Sequence, residues 1–191
     1  MTGSRQIDLA AAADAIDVFL RSVGAPMDDP ELRGTGARVA LAFAEDLLSG
    51  YEMDPREILA DFTASDSRGP VILRDIAATT ICPHHLMPAT GVVHVGYLPG
   101  SRVVGFGSLA KLVDCFSRRL ALQEDIGQHV VGALVNTLGA RAACCVADLD
   151  PTCVTARGGR RHGARAVTVA TAGDAADVAQ LSPFMMGRGS E

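Results

Sequence analysis

The sequence predicts an α+β chain built on a largely antiparallel sheet. Three observations carry this. The first third has helical periodicity, the middle is a series of β-branched runs cut by Gly and Pro, and strands and helices do not alternate regularly as they would in a parallel α/β sheet. At 191 residues the chain is long enough for one sizeable core and short for two, so a single domain with an N-terminal helical extension is expected.

Ile7, Leu9, Ala10, Ala13, Ile16, Phe19 and Leu20 recur at spacings of three and four, which predicts an amphipathic helix ending near Gly24. A second helix is expected from about Thr35 to Leu48, stopped by Ser49-Gly50. A short third one carries Pro55 in its first turn. "VILRDIAATTI", "GVVHVGYLPG" and "SRVVGFG" then read as strands. From Ser108 to Gly139 helical periodicity returns, as two helices or one bent one. "ARAACCVADLD" and "ARAVTVATAG" form a last strand pair around the loop "VTARGGRRHG", and the tail after Gly173 lacks a pattern and reads as loose. The expected organisation is a helical region over 1–50, a core over 51–173 and a flexible tail over 174–191.

The hydrophobic content of 48% and charged content of 20% are those of a foldable globular chain. A net charge of −5 argues against general nucleic-acid binding but leaves room for a local basic patch. No apolar run is long enough for a membrane span, and the N-terminal apolar stretch carries acids, unlike a signal peptide; a cytoplasmic protein is expected. Five cysteines without framework spacing suggest reduced thiols or metal ligands.

"ICPHHLMP" places Cys82, His84 and His85 within four positions, in a chain with five histidines. Thiolate and neutral imidazole are ligands that zinc prefers, and a third ligand would have to come from far along the chain. Three protein ligands leave a fourth position open, as in catalytic sites. Adjacent side chains in extended backbone point apart, so only one of the two histidines is expected at a metal, leaving the other for proton transfer. By spacing alone the stretch reads equally as a turn with two partly exposed histidines. Cys144 and Cys145 sit in an apolar strand and Cys115 in a helix, and all three read as core. His94, His129 and His162 lack partners at ligand spacing.

Taken together, "CPHHLMPATGVVHVGYLPGSRVVGFG…LQE…TCVTARG" resembles the GTP cyclohydrolase I family, whose signature runs C-x-H-H, a strand ending Y-(I/L)-P, Q-E on a helix, and C-x-x-x-R-G. The likeness spans roughly Thr35 to Val169. It implies a tunnelling fold, or T-fold, an antiparallel sheet backed by helices, and homo-oligomeric rings, commonly a decamer of two pentamers with sites between subunits. It implies Zn2+ held by Cys82, His85 and Cys153, with His84 as catalytic imidazole. Gln123 and Glu124 match the guanine-recognising pair, and Arg157, Arg160 and Arg38 match positions that bind the nucleotide, Arg157 through phosphate. The implied reaction is hydrolysis of GTP, or a related guanine nucleotide, at carbon 8 with release of formate, followed in the family by rearrangement to dihydroneopterin triphosphate.

The chain departs from the family pattern in a selective way. Where members read G-L-S-K-x-x-R, it has Gly105-Phe106-Gly107-Ser108-Leu109-Ala110-Lys111, so Ser108 replaces the triphosphate-contacting lysine and Lys111 the arginine. Where members read H-x-C with a catalytic histidine, it has Pro151-Thr152-Cys153, and proline cannot titrate. The residues for metal, guanine and first proton transfer are kept, and those for triphosphate and later ribose steps are lost. A shortened reaction is therefore expected. Its alternatives are a complete cyclohydrolase in which Asp148, Asp150 or a water replaces the missing base, and a non-catalytic zinc- and nucleotide-binding homologue. Arg161 and Arg165 read as a solvated loop, or as substitute phosphate ligands.

Overall fold

A computed structural model of the chain describes residues 6–157 and 161–185. Its centre is a four-stranded antiparallel sheet in the order β2-β3-β5-β6, formed by β2 (Val71–Ile81), β3 (Pro88–Leu98), β5 (Ala142–Pro151) and β6 (Ala166–Gly173). A small second sheet pairs β1 (Phe62–Ala64) with β4 (Arg102–Val104). The α+β, antiparallel expectation holds.

One face of the sheet carries the main core. Val93, Val95 and Tyr97 of β3 and Ala143, Cys145, Ala147 and Leu149 of β5 point to it, as the two-residue strand period requires. Two helices cover that face, α4 (Phe106–Ser117) and α5 (Gln123–Ala133), the latter running on as a π-helical segment to Leu138. Leu109, Leu112, Val130 and Leu134 are fully buried there, each worth about 1.5–3 kcal/mol of transfer free energy. Gly139, at φ 82°, closes the helix in the left-handed conformation glycine favours.

Among the described residues the opposite face is covered at one end only. Leu98, Ala142, Cys144 and Leu181 cluster there under α7 (Ala175–Met185), which is tied down by an Arg141–Asp177 ion pair at 2.6 Å. The described part of the segment after Gly173 is thus a docked helix where a loose tail was expected. Its anchoring is tertiary, through Val178 and Leu181 on β3 and β5, and leaves little local pattern to read.

The N-terminal helices follow the sequence closely. The first, α1 (Leu9–Ser22), is capped by Asp8. The second, α2 (Thr35–Leu41), continues as a π-helical segment to Leu47, and α3 (Pro55–Ile58) starts on Asp54 with Pro55 at its first position. No residue of α1 is buried, and Phe19 keeps 60% of its surface exposed. The apolar stripe of α1 lies unburied, along a groove of about 360 Å³ shared with Phe43 and Leu48.

Candidate metal centre and substrate pocket

β2 delivers its last buried residue, Ile81, to the edge of the helical layer, and the chain turns at once. Cys82 N–H donates to Met87 O and Leu86 N–H to Cys82 O, both at 2.9 Å, so residues 82–87 form a closed turn into β3. That turn brings Cys82 Sγ within 4.0 Å of His85 Nδ1. The third donor comes from the end of β5. Pro151 lies opposite Ala89, Thr152 Oγ1 donates to Pro88 O, and a single helical turn, α6 (Thr152–Thr155), presents Cys153. The ligand atoms of Cys82, His85 and Cys153 all lie within 4.8 Å of one another. A tetrahedral zinc with bonds of about 2.0–2.3 Å sets its ligand atoms roughly 3.5–3.8 Å apart, so the three need move by little more than an ångström.

The same three strand ends border a pocket of about 200 Å³ whose lining includes Cys82, Gln123, Glu124, Pro151 and Cys153. The start of α5 is fixed there by backbone: Ile81 N–H donates to Arg119 O and Ala121 N–H to Ile81 O. Gln123 Nε2 donates to Ala147 O at 2.9 Å and to Ala166 O at 2.7 Å. Its nitrogen thus braces two strands, leaving only its carbonyl oxygen for a ligand. Glu124 is exposed in the first turn of α5. The Cys153 thiol is pushed up, first by burial and then by the Cys82 thiol beside it.

His84 is exposed beside the cluster, its ring centroid 6.3 Å from that of His85 in an edge-on arrangement. Arg157, also exposed, places a guanidinium nitrogen 2.7 Å from His85 Nε2. Arg160 lies outside the described residues. The other expected site residues stand elsewhere in the chain. Arg38 donates to Arg33 O, Glu31 O and Thr35 Oγ1 around the start of α2. Ser108 and Lys111, on α4, line a separate pocket of about 470 Å³ with Glu52, Asp54, Glu57 and Asp61.

Pro151 occupies the pocket wall, and its acidic neighbours face away. Asp148 and Asp150 alternate with Ala147 and Leu149 on β5 and continue the row of Cys144 and Val146, on the α7 face. Asp148 is paired with Arg165 at 2.7 Å, and Asp150 accepts from Thr155 Oγ1 at 2.7 Å.

Arg119 escaped the sequence reading. Its guanidinium donates to Gly50 O at 2.7 Å and to Cys115 O, while its own carbonyl accepts from Ile81, one residue before Cys82. Gly50 sits so close to the end of α4 that a Cβ would lie 2.7 Å from Cys115 O. An arginine four residues before Gln123 carries no motif of its own; the Gly50 contact that reveals it is sixty-nine residues away in sequence.

The family model described as GTP cyclohydrolase I matches residues 12–187. Among curated proteins, a GTP cyclohydrolase 1 of Chromobacterium violaceum is 37% identical, covering 89% of this chain and 82% of that protein. One of Corynebacterium aurimucosum is 37% identical over 88% of this chain and 87% of its own length, and one of Streptomyces coelicolor 34% identical over 94% and 90%. Among solved structures, the apo archaeosine synthase QueF-Like superposes at a TM-score of 0.47 with 18% identity, over 57% of this chain and 98% of that one, too loosely to bear on function. With a family match across nearly the whole chain and a Cys-His-Cys cluster where the motif predicts one, this chain belongs to the GTP cyclohydrolase I family.

Proposed function

We propose that the protein is a zinc-dependent cyclohydrolase that opens the imidazole ring of a guanine nucleotide at carbon 8, releases formate, and stops at the ring-opened or deformylated pyrimidine. The observation that carries this reading is the pocket itself. It joins Cys82, Cys153, Gln123 and Glu124 while presenting Pro151 where the family pattern has a histidine, with Asp148 and Asp150 on the other face of the sheet.

The donor set fits the metal. Two thiols and one imidazole within 4.8 Å of one another, the two thiols lining the pocket, match the ligand types of catalytic zinc sites. Bound by Cys82, His85 and Cys153, zinc supplies a Lewis acid that brings the pKa of water to about 7. Glu124 accepts hydrogen bonds from the amide and amino edge of guanine, which adenine cannot offer, and leaving such an acceptor unpaired penalises the wrong base. His84 delivers a proton to a ring nitrogen as the ring opens. Past that point no side chain at position 151 can move a proton for the sugar rearrangement.

Phosphate recognition is weakened in the same selective way. Ser108 brings no charge, and Lys111 is outnumbered by the four carboxylates of its pocket, so a guanine nucleotide with fewer phosphates than GTP is the preferred substrate. Rings of this chain, by the family pattern a decamer of two pentamers, would pair the β2 and β6 edges, which among the described residues have no further strand beside them in the sheet apart from the bridge of Ile81 to Leu120. The exposed Val167 and Val169 of β6 agree with this. No helix among the described residues is long and apolar enough to cross a membrane, and a cytoplasmic enzyme feeding or branching from pterin synthesis is the setting we propose.

The names of the curated relatives favour a second reading, a complete cyclohydrolase that yields dihydroneopterin triphosphate. Incubation of zinc-loaded protein with GTP, GDP, GMP and guanosine, followed by product masses, separates the two. Accumulation of a deformylated pyrimidine supports the shortened reaction, and clean dihydroneopterin triphosphate at ordinary turnover removes it. Stoichiometric zinc without any formate identifies a non-catalytic homologue.

A further inference from the structure

The contact between Arg157 and His85 and the ligation of a metal by His85 exclude each other. A guanidinium has only donors, so the nitrogen 2.7 Å from His85 Nε2 must donate, and Nε2 must offer its lone pair. If a metal takes Nε2, that lone pair is spent. If the metal takes Nδ1, the atom nearer Cys82, a neutral imidazole carries its proton on Nε2 and has nothing with which to accept.

Arg157 is free to move: it is exposed, just beyond α6, and its partner at His85 is the only hydrogen-bond partner of its guanidinium among the described residues. We infer that Arg157 is a metal-coupled anion receptor. Ligation by His85 releases the guanidinium toward the neighbouring pocket, where it binds a phosphate-class anion, and an anion that captures Arg157 in turn strengthens metal binding. This rests on the proposal that Cys82, His85 and Cys153 hold the metal. Linkage makes the coupling reciprocal, so it can be read from metal affinity without any turnover.

The test is zinc affinity, measured with free zinc fixed by a metal buffer, in chloride and in inorganic phosphate at equal ionic strength. Wild-type protein should bind zinc roughly 5-fold or more tightly in phosphate, the lower end of ordinary allosteric couplings. Arg157→Ala should bind zinc more tightly than wild type in chloride and show no response to phosphate. Arg157→Lys, a single compact donor, should fall between them. An Arg157→Ala protein with wild-type zinc affinity and an undiminished phosphate effect overturns the coupling while leaving the metal centre intact. Failure of the wild-type protein to take up stoichiometric zinc overturns the metal centre, and the coupling with it.

Discussion

Two pockets of this chain received equal weight from the family pattern and have diverged unequally. Beside Cys82, three strand ends and the start of α5 converge, and the motif residues Cys82, Gln123, Glu124 and Cys153 line one small cavity. At the start of α4, Ser108 and Lys111 line a larger cavity among four carboxylates, and nothing there gathers positive charge. The first pocket is held by backbone hydrogen bonds that cannot change without unmaking β2, β5 or α5. The second is held by side chains on a helix surface, which substitution alters at little structural cost. The residues of the first pocket are therefore tied to the fold, whereas those of the second are free to drift.

The largest effects should come from breaking the first pocket. Cys82→Ser or Cys153→Ser should abolish stoichiometric zinc and reduce formate release to background. In metal-stripped wild-type protein a thiol reagent should modify the half-exposed Cys82 and, more slowly, Cys153 without unfolding, and zinc should protect both. Cys115, Cys144 and Cys145 should react only on unfolding, because burial raises all three thiols, Cys145 to about 12. His84→Ala should keep its zinc and lose formate release by about 10²–10⁴-fold, the usual worth of a general acid or base. Zinc loss in that variant would move His84 into the ligand set.

Glu124→Gln should cost about 5- to 150-fold in kcat/KM with guanine nucleotides, the range for one hydrogen bond left unmade once bound base covers the carboxylate, with zinc unchanged. At the second pocket, Ser108→Lys should raise the preference for GTP over GMP by about 3- to 10-fold, fading at high salt as an exposed charge does. No change at low salt would show that this pocket never meets the phosphates. The smallest expected effect is for Asp148→Asn. It should leave formate release within about 2-fold and cost at most about 1 kcal/mol through its half-exposed pair with Arg165. A large loss of activity there would restore Asp148 as a replacement base.

Most of the fold is legible because its signals are local. The stop at Ser49-Gly50, the run from Val71 to Ile81 and the closure at Gly139 are written in neighbouring residues, and the structure places element ends within a few positions of them. β1 was missed because a three-residue strand exists only through its pairing with β4, some forty positions on. For α7 the stabilising partner is the sheet face around Leu98 and Ala142, again distant in sequence. In the site, the family resemblance identified the residues that meet within one chain, Cys82, His85 and Cys153. It could not show that Gln123 spends its nitrogen on two strands, nor that the acids flanking Pro151 face away.

The turn that carries both imidazoles ends on Leu86, which is held at φ 53° and keeps 56% of its surface exposed. A left-handed conformation costs a residue with a side chain about 1–2 kcal/mol, so the turn stores some tension there. The Leu86 side chain forms one wall of the groove between α1 and α2, opposite Ile7, Leu9 and Ile16. A change in what packs along α1 therefore meets this leucine, which stands one residue from His85 and two from His84. Shortening the amino-terminal helix should therefore strip one side of the groove beside the two imidazoles, and formate release is expected to fall while Cys82, His85 and Cys153 all remain.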